Sequence, residues 1–445
     1  MSLNRIVNYT IPCPPYPLTE FLRLGAGMER FYFESGQSSV AIAALGIGAQ
    51  ISHHGENRFS NLGASLQDFF QRIIPINESD ALPRPILLGG GAFFDHVKRG
   101  IWDSFPSAAL TLPRYALIRA GGEYFFSINH TLTENETPAL AAGYLRIEAK
   151  NFIEQMETAI LPPPSFPDEL ITNTETSRAE WENSIRHSIG MIRAGMLKKV
   201  VIARPLQVHG NRPLDVPVLL ERLGASCPAC FRFLFEFMPG RNFAGVTPER
   251  LISVSGTEYN TVAIAGSIRR GGSPVEDDAL GRQLLHSAKD QSEHAFVLDH
   301  IREKMSPLVK TLDMDSAPKL LRLPNIQHLC TDITGTLKAG HNILNIVAAL
   351  HPTPAVGGMP GEAALRLIRE LEGFERGWYA APVGWVDADG NGDFVVAIRS
   401  GLFQGSTATL FGGAGIVADS DPQKEWDETG LKARFLLDAM QGEMV

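Results

Sequence analysis

Apolar and polar positions alternate over short distances in the first part of the chain, between residues 20 and 150. The segments RFYFES, SVAIAALGIG, PILLGGGAFF and ALTLPRYALIRAGGEYFFSIN are separated by glycine and proline turns. Short apolar runs bounded by turn residues are typical of strands that are joined by hairpins. The pattern predicts a mostly antiparallel sheet over this region.

On either side of a proline-rich stretch, the apolar residues are spaced as in amphipathic helices. LAAGYLRIEAKNFIEQMET precedes it, and SRAE at 177–180 fits a capping box that opens the next helix. The stretch between them, LPPPSFPDEL, is the best candidate for an internal boundary. We therefore predict an N-terminal subdomain over 1–160, rich in antiparallel strands, and a second region over 175–440.

The second region mixes strands and helices without a regular βαβ period. KKVVIARPLQV is predicted as a strand, and GEAALRLIREL as an amphipathic helix before another strand. LHPTPAVGGMP, which precedes that helix, has three prolines and cannot form a regular helix or a central strand. Stiff loops between ordered elements are common places for binding sites, so this loop is a candidate wall of a pocket.

Composition narrows the class of protein. The 445 residues are 44% hydrophobic and 20% charged, which indicates a globular chain with an ample core. A net charge of −9 disfavours nucleic acid and anionic membranes as general partners. No signal peptide or membrane-spanning run is evident, so we expect a cytoplasmic protein.

Two motifs are predicted to carry no ligand. CPAC, with Cys227 and Cys230, has no second Cys or His pair nearby that could complete a zinc site, and a strand follows it directly. We interpret these cysteines as packing thiols. DADGNGDFVVAI resembles the start of a calcium loop, but Ile398 stands where a bidentate glutamate is needed, so a hairpin turn is expected.

Acidic residues on two predicted helices suggest a metal site. Glu425 and Glu428 are three residues apart, and Lys432 lies four beyond Glu428, so the three share a helix face. Such a pattern alone is usually only a solvated ion pair. Glu293, on a second predicted helix, would repel these glutamates unless a cation lay between them. Mg²⁺ suits such a pair, because it takes one or two carboxylates together with water and substrate oxygens.

Several segments, in order along the chain, resemble motifs of the chorismate-utilising enzymes. They are KVVIAR, GVTPERL, AGSIRRG, SEHAFVLDHI, QHL, LHPTPAVGG, RGWYAAPVGW, FVVAIRS and GGAGIVADSDPQKEWDET. The resemblance implies an α/β (α+β) fold of two large antiparallel sheets packed as a sandwich with helices outside. It also implies a cleft for Mg²⁺ and chorismate, so that the proline-rich stretch marks a crossing within one intertwined unit.

The resemblance also implies roles for individual residues. Lys199 matches the base that activates water for attack at C2 of chorismate, and Glu249 matches the acid that protonates the departing C4 hydroxyl. The reaction requires Lys199 to be partly neutral, and burial should raise the pKa of Glu249. Metal ligation is implied for Glu293 and Glu428, with Glu425 nearby through water. The residues expected to contact substrate are Gly266, His328, His351, Ala355, Tyr379, Arg399, Gly413, Gly415 and Lys432.

The branch of the family is indicated by the nucleophile that the site favours. Aminating relatives generally carry glutamine at the position of Lys199, and aminodeoxychorismate synthase has a nucleophilic lysine where Ala265 stands here. Both differences favour water over ammonia, and His351 with Ala355 resembles the isochorismate synthase form of the loop. The resemblance therefore implies isochorismate synthase, of the menaquinone or siderophore type, acting as a monomer without a glutaminase subunit.

Two alternatives stay open. Salicylate synthase shares the lysine base and adds pyruvate elimination, for which it carries threonine at the position of Ala355. A chorismate-binding regulator without activity is the alternative of a different class, although none of the catalytic positions is lost. Anthranilate and aminodeoxychorismate synthases are disfavoured by the same two differences that favour water.

Overall fold

A computed structural model describes residues 5–36, 40–77, 79, 82–96, 100–174, 176–322 and 326–442. The strands are β1 (Ile6–Pro12), β2 (Arg30–Ser35), β3 (Ala41–His53), β4 (Ile73–Pro75), β5 (Ile86–Gly91), β6 (Ala108–Ala120), β7 (Glu123–Thr131), β8 (Leu170–Asn173), β9 (Lys199–Gly210), β10 (Phe231–Met238), β11 (Arg241–Thr247), β12 (Arg250–Ser255), β13 (Glu258–Arg269), β14 (Val309–Met314), β15 (Lys319–Arg322), β16 (Ile326–Leu337), β17 (Gly358–Met359), β18 (Pro382–Asp387), β19 (Gly392–Val396), β20 (Ser400–Gln404) and β21 (Thr407–Ile416). The helices are α1 (Leu18–Leu24), α2 (Arg58–Gln71), α3 (Pro138–Thr158), α4 (Arg178–Arg193), α5 (Val216–Ser226), α6 (Pro274–His286), α7 (Ala288–Met305), α8 (Ile343–Leu350), α9 (Gly361–Leu371) and α10 (Pro422–Gln441).

The strands form two arms that share β6. The first arm has the order β8-β9-β21-β20-β11-β10-β2-β3-β6-β7-β1-β4, in which the β1–β4 pairing is parallel and the others are antiparallel. The second arm leaves β6 through β5 and continues β18-β19-β12-β13-β16, with β14 and β15 both paired to β16. The α/β class and the dominance of antiparallel strands are confirmed, and hydrogen bonds between β5 and β6 join the two sheets.

Strands of the first arm bury both faces. Phe31 and Phe33 of β2 belong to a core that also holds side chains of the second arm, such as Ile252 and Val395. Tyr32, between them, belongs to a second core under α1, α3, α5 and α10. Because successive strand residues point to opposite faces, this is the pattern of a middle layer with apolar material on both sides.

Most predicted elements occur as expected. The strand segments before residue 150 form β2, β3, β5, β6 and β7, and the first predicted helix is α3. The capping box is present: Ser177 accepts from the Glu180 amide, and the Glu180 side chain accepts from the Ser177 amide. LHPTPAVGGMP begins with Leu350, the last residue of α8, and continues as the loop to α9, in which the two residues of β17 are the regular structure. DADGNGDF is the hairpin turn between β18 and β19.

The interpretation of CPAC as two packing thiols is wrong for this structure, which pairs Cys227 and Cys230 in a disulfide. Both residues are buried, at 3% and 1% exposure, so they also pack in the core as expected. Cys227 ends α5 and Cys230 directly precedes β10. The turn between these two elements brings the sulfur atoms together, and local spacing alone does not reveal this.

None of the helices in the described part of the chain is both long and apolar enough to cross a membrane. This agrees with the absence of a long apolar run from the sequence.

Candidate functional site

A cavity of about 250 Å³ lies where the two arms meet. Its walls come from β9 and β21 of the first arm, from β13 and β16 of the second, and from α7 and α10. Of the residues expected at the site, those that line it are Lys199, Glu249, Gly266, Glu293, His328, Ala355, Tyr379, Arg399, Gly413, Gly415, Glu425, Glu428 and Lys432. Residues far apart in the sequence thus converge on one enclosed space.

Lys199 is the first residue of β9, and its side chain is 13% exposed. Its Nζ donates to Glu293 Oε1 at 2.5 Å. On the neighbouring strand β21, a Cβ at Gly415 would lie 2.9 Å from Lys199 Cε. The missing side chain at Gly415 therefore leaves the room that the lysine occupies.

Glu249 lies in the short connection between β11 and β12, where the chain crosses from the first arm to the second. Its amide donates to Thr247 Oγ1 at 3.2 Å, and its carbonyl accepts from the Val396 amide at 3.0 Å. Burial raises the pKa of Glu249 to about 7, although Lys199, Lys432 and Arg399 act in the opposite direction. The shift has the expected sign, so the carboxyl can hold a proton near neutral pH.

Arg399 lies at the second crossing, between β19 and β20, and has a left-handed backbone with φ of 49°. It is 9% exposed, and burial lowers its pKa to about 10, so it remains charged at neutral pH. No ion pair to its guanidinium occurs within the described ranges. A buried cation without a carboxylate partner is suited to bind an anionic ligand.

Tyr379 and Lys432 cover the end of the cavity near Gly413. The Tyr379 ring stacks on Phe411 with 5.0 Å between centroids, and its hydroxyl lies 3.0 Å from where a Cβ of Gly413 would be. Lys432 Nζ donates to the Gly413 carbonyl at 2.8 Å and to Glu428 Oε1 at 2.7 Å. Burial raises the pKa of Tyr379, so its hydroxyl stays a neutral donor.

Gly266 and His328 form part of the wall that β13 and β16 provide. Gly266 has φ of 76° and interrupts the strand register between Ala265 and Ser267. His328 Nδ1 lies 2.8 Å from Ser267 Oγ. Burial, with Arg399 next in effect, lowers the pKa of His328 to about 3. The imidazole is therefore neutral at ordinary pH and suited to orient a ligand through hydrogen bonds.

His351 is predicted to contact substrate, but the structure places its ring against aromatic side chains outside the cavity. Its ring lies 5.8 Å from the Phe59 ring and 5.5 Å from the Phe93 ring, measured between centroids, and its Nε2 donates to the Phe93 carbonyl at 3.1 Å. It is not among the residues that line the cavity, whereas Ala355 and Val356 are. His351 thus holds the loop against the aromatic core, and the next residues of the loop form the wall.

The acidic side of the cavity contains Glu293 from α7 and both Glu425 and Glu428 from α10. Burial and the charge of Glu428 raise the pKa of Glu425. Burial also raises the pKa of Glu428, but Lys432 beside it, together with the smaller effects of His328 and Lys199, outweighs burial, so that the pKa is lowered. Within the described ranges no three His, Cys, Asp or Glu side chains are arranged as a complete metal site. The donor chemistry nevertheless fits Mg²⁺, which needs only one or two protein carboxylates.

Sequence reasoning missed several lining residues. Lys289 and Asp290 lie one helical turn before Glu293 on α7, so the helical spacing from Glu293 could have indicated them. Arg376 also lines the cavity, and its buried partner Glu372 lies four residues before it. RGWYAAPVGW contains Arg376, but the motif alone does not show that this arginine reaches the cavity.

Comparison with known proteins gives consistent matches over nearly the whole chain. The model of a family described as "Chorismate binding enzyme" matches residues 2–441. The isochorismate synthase MenF of Bacillus subtilis is 32% identical over 425 residues, covering 93% of this chain and 88% of that protein. A salicylate biosynthesis isochorismate synthase of Pseudomonas aeruginosa is 35% identical over 435 residues, covering 95% and 88%.

Solved structures show the same likeness in three dimensions. The menaquinone-specific isochorismate synthase MenF of Escherichia coli superimposes with a TM-score of 0.81 at 25% identity, covering 98% of this chain and 95% of that chain. The anthranilate synthase component I of Streptococcus pneumoniae superimposes with a TM-score of 0.72 at 21% identity, covering 91% and 93%. The second comparison concerns the fold alone.

Proposed function

This chain belongs to the family of chorismate-binding enzymes, and we propose that it is an isochorismate synthase, which converts chorismate to isochorismate. One observation supports the proposal above the others: Lys199, at the start of β9, and the half-buried Glu249, in the connection between the two arms, line the same cavity. An enzyme that adds water at one carbon and expels hydroxide at another needs a base and an acid at separate positions.

In the proposed reaction, neutral Lys199 takes a proton from a water molecule as that water forms a bond to C2 of chorismate. The two conjugated ring double bonds each shift by one position, from C1=C2 to C1=C6 and from C5=C6 to C4=C5. The C4–O bond breaks, and protonated Glu249 gives its proton to the departing oxygen, which leaves as water. The raised pKa of Glu249, about 7, supports this role because the group can be protonated under ordinary conditions. Proton exchange with solvent then restores both groups.

We assign the cationic and hydrogen-bonding groups of the cavity to the substrate carboxylates and ring. Arg399, Tyr379 and the backbone near Gly413 and Gly415 would bind one carboxylate. The remaining contacts to the ring would come from Gly266, His328 and Ala355. These groups offset the net negative charge of the protein at the place where an anion must bind.

Mg²⁺ is the proposed cofactor, held by Glu293 and Glu428, with Glu425 nearby through water. When bound, the ion would neutralise a substrate carboxylate next to these glutamates. Glu293 and Glu428 each already contact a lysine, Lys199 and Lys432 respectively. These lysines supply the compensating charge within the protein.

Salicylate synthase is the second candidate function, because it shares the lysine base. Ala355, which lines the cavity, favours isochorismate synthase over salicylate synthase, since an alanine methyl cannot replace the threonine hydroxyl of salicylate synthase. Lys199 and Ala265 together disfavour the aminating relatives, so we expect no glutaminase subunit.

Incubation of the purified protein with chorismate and Mg²⁺, with and without high ammonium, tests the proposed function. Isochorismate should be the main product by chromatography in both cases, because Lys199 activates water and no residue prepares ammonia. Salicylate with pyruvate as the main product would support the second candidate, and dominant anthranilate or aminodeoxychorismate would overturn the choice of nucleophile.

The pH dependence provides a further prediction from the Glu249 pKa of about 7. The protonated fraction of Glu249 falls tenfold per pH unit above that value, so the slope of log(kcat/KM) against pH should decrease by about one near pH 7. Glu249→Gln should lack this change of slope because an amide does not titrate. Lys199→Ala should keep the change of slope at a lower rate and at a higher pH, because Lys199 lowers the pKa of Glu249. A wild-type profile that is straight between pH 5.5 and 8.5 would contradict the assignment.

A further inference from the structure

Arg376 is the most deeply buried of the cations that line the cavity. It lies between α9 and β18 and is fully buried, with a side-chain exposure of 0% against 2% for Glu372. Its Nε donates to Glu372 Oε2 at 2.8 Å, and its Nη2 donates to Glu372 Oε1 at 2.6 Å. The planar guanidinium and the carboxylate thus form a two-bond pair, which has a defined geometry.

This pair occupies a gap along one edge of β9. The opposite edge of β9 pairs with β21, whereas this edge, within the described residues, pairs with β17 at Lys199 and Val200 and with β8 from Gln207 to Gly210. The Val201 amide extends the first of these contacts by donating to the Gly357 carbonyl at 2.9 Å. In the gap, the Val201 carbonyl accepts from Arg376 Nη2 at 2.8 Å, and the Ala203 amide donates to Glu372 Oε1 at 2.7 Å. The ion pair therefore supplies hydrogen bonds to a backbone carbonyl and a backbone amide that a neighbouring strand would otherwise supply.

The same arginine also reaches the loop and the segment that form the other walls. Arg376 Nη1 donates to the Val356 carbonyl at 2.8 Å, directly after Ala355. The Arg376 carbonyl accepts from the Tyr379 amide at 2.9 Å. One buried pair is therefore bonded to the strand that begins with Lys199, to the loop of Ala355 and to the segment of Tyr379.

We propose that the Glu372–Arg376 pair is a positioning unit, which sets the distance between Lys199 and the substrate ring by fixing the open edge of β9 to the loop. This inference rests on the proposed function. Arg376 does not act as a substrate-binding cation, because its charge is paired with Glu372 and four of its five N–H groups donate within the protein, in contrast to Arg399. A displacement of about 1 Å in a reacting group can lower a rate by about 10²-fold, so such a support bears directly on catalysis.

A double variant, Glu372→Met with Arg376→Met, tests whether the pair positions Lys199 and the loop or only stabilises the folded protein. Replacement of a buried ion pair by apolar side chains of similar volume often preserves stability, because no unpaired charge is left. The variant nevertheless leaves the Val201 and Val356 carbonyls and the Ala203 amide without these partners. We expect a folded protein whose kcat for chorismate is lower by about 10- to 100-fold while KM stays within about threefold.

The matched control removes an ion pair that lies away from the cavity. Arg114 Nη2 donates to both carboxylate oxygens of Glu148 at 2.7 Å, between β6 and α3. Arg114→Met with Glu148→Met should keep wild-type kcat and KM. Arg376→Lys, which retains a buried cation but not the fork of donors, should show a kcat between those of the wild type and the double methionine variant.

Amide hydrogen exchange provides a readout that does not depend on activity. The Ala203 amide, which loses its acceptor Glu372, should exchange faster in the double methionine variant. The Val201 amide should also exchange faster, because its acceptor is the Gly357 carbonyl of the loop that the pair holds, while the amides of β20 and β11 keep their protection. Unchanged protection at these two amides would overturn the inference. This result does not depend on the reaction that the protein catalyses, so it is distinct from a failure of the proposed function, which would appear as the absence of isochorismate. Faster exchange with unchanged kcat, or a rise in KM at constant kcat, would also overturn it. If the double variant does not fold, Arg376→Lys decides the matter by the same measurements.

Discussion

Lys199→Ala and Glu249→Gln should each lower turnover of chorismate by roughly 10²–10⁴, the usual contribution of a general acid or base. Lys199 is the base for the attacking water and Glu249 the acid for the departing hydroxyl, so neither loss can be compensated by the other group. Because the isomerisation is reversible, both variants should also fail with isochorismate, with the two roles exchanged. Initial rates in both directions, followed by chromatography, measure the effect.

Neither substitution should unfold the protein, since both side chains face the cavity and leave the core packing in place. Lys198→Ala is a matched control, because Lys198 lies 4.6 Å from the Phe296 ring and does not line the cavity. Glu258→Gln, at the exposed start of β13, is the control for Glu249. If Lys199→Ala or Glu249→Gln kept activity within about threefold of wild type, that residue would not be the proton carrier.

Glu428→Gln is expected to have the second large effect. The amide is nearly isosteric but has lost the charge that Mg²⁺ requires from its protein ligands, so the ion should bind more weakly. The same change removes the carboxylate that pairs with Lys432 at 2.7 Å, which leaves that lysine free to move from Gly413. Calorimetric titration with Mg²⁺ should show weaker binding than in wild type, and turnover should fall by about 10²-fold or more.

The control for Glu428→Gln is Glu182→Gln on α4, where the carboxylate forms exposed pairs with Arg178 and Arg186. Exposed helical ion pairs contribute little, so this variant should bind Mg²⁺ and turn over as the wild type does. Full activity in excess chelator, or unaltered Mg²⁺ binding by Glu428→Gln, would remove the metal assignment.

The identity of the secondary-structure elements and the family could be predicted from the sequence. Strand and helix periodicity depends on neighbours a few residues apart, so β2, β3, α3 and α4 were recognisable from local patterns. The ordered motifs also indicated which residues converge, and nearly all of them line one cavity. The exception is His351, whose neighbours Phe59 and Phe93 are distant in the sequence. Their contact depends on how α2 and the segment after β5 pack against the loop.

The sequence by itself determined the family, the kind of elements and the chemical groups of the candidate site. Only the tertiary structure decided which of these groups are paired and which are free. Lys199 contacts Glu293, and Arg376 is paired with Glu372 and bonded to backbone carbonyls. Arg399 has no ion-pair partner among the described residues. These differences arise because desolvation and ion pairing depend on residues brought together from both arms of the sheet, and burial of this kind raises the pKa of Glu249 to about 7.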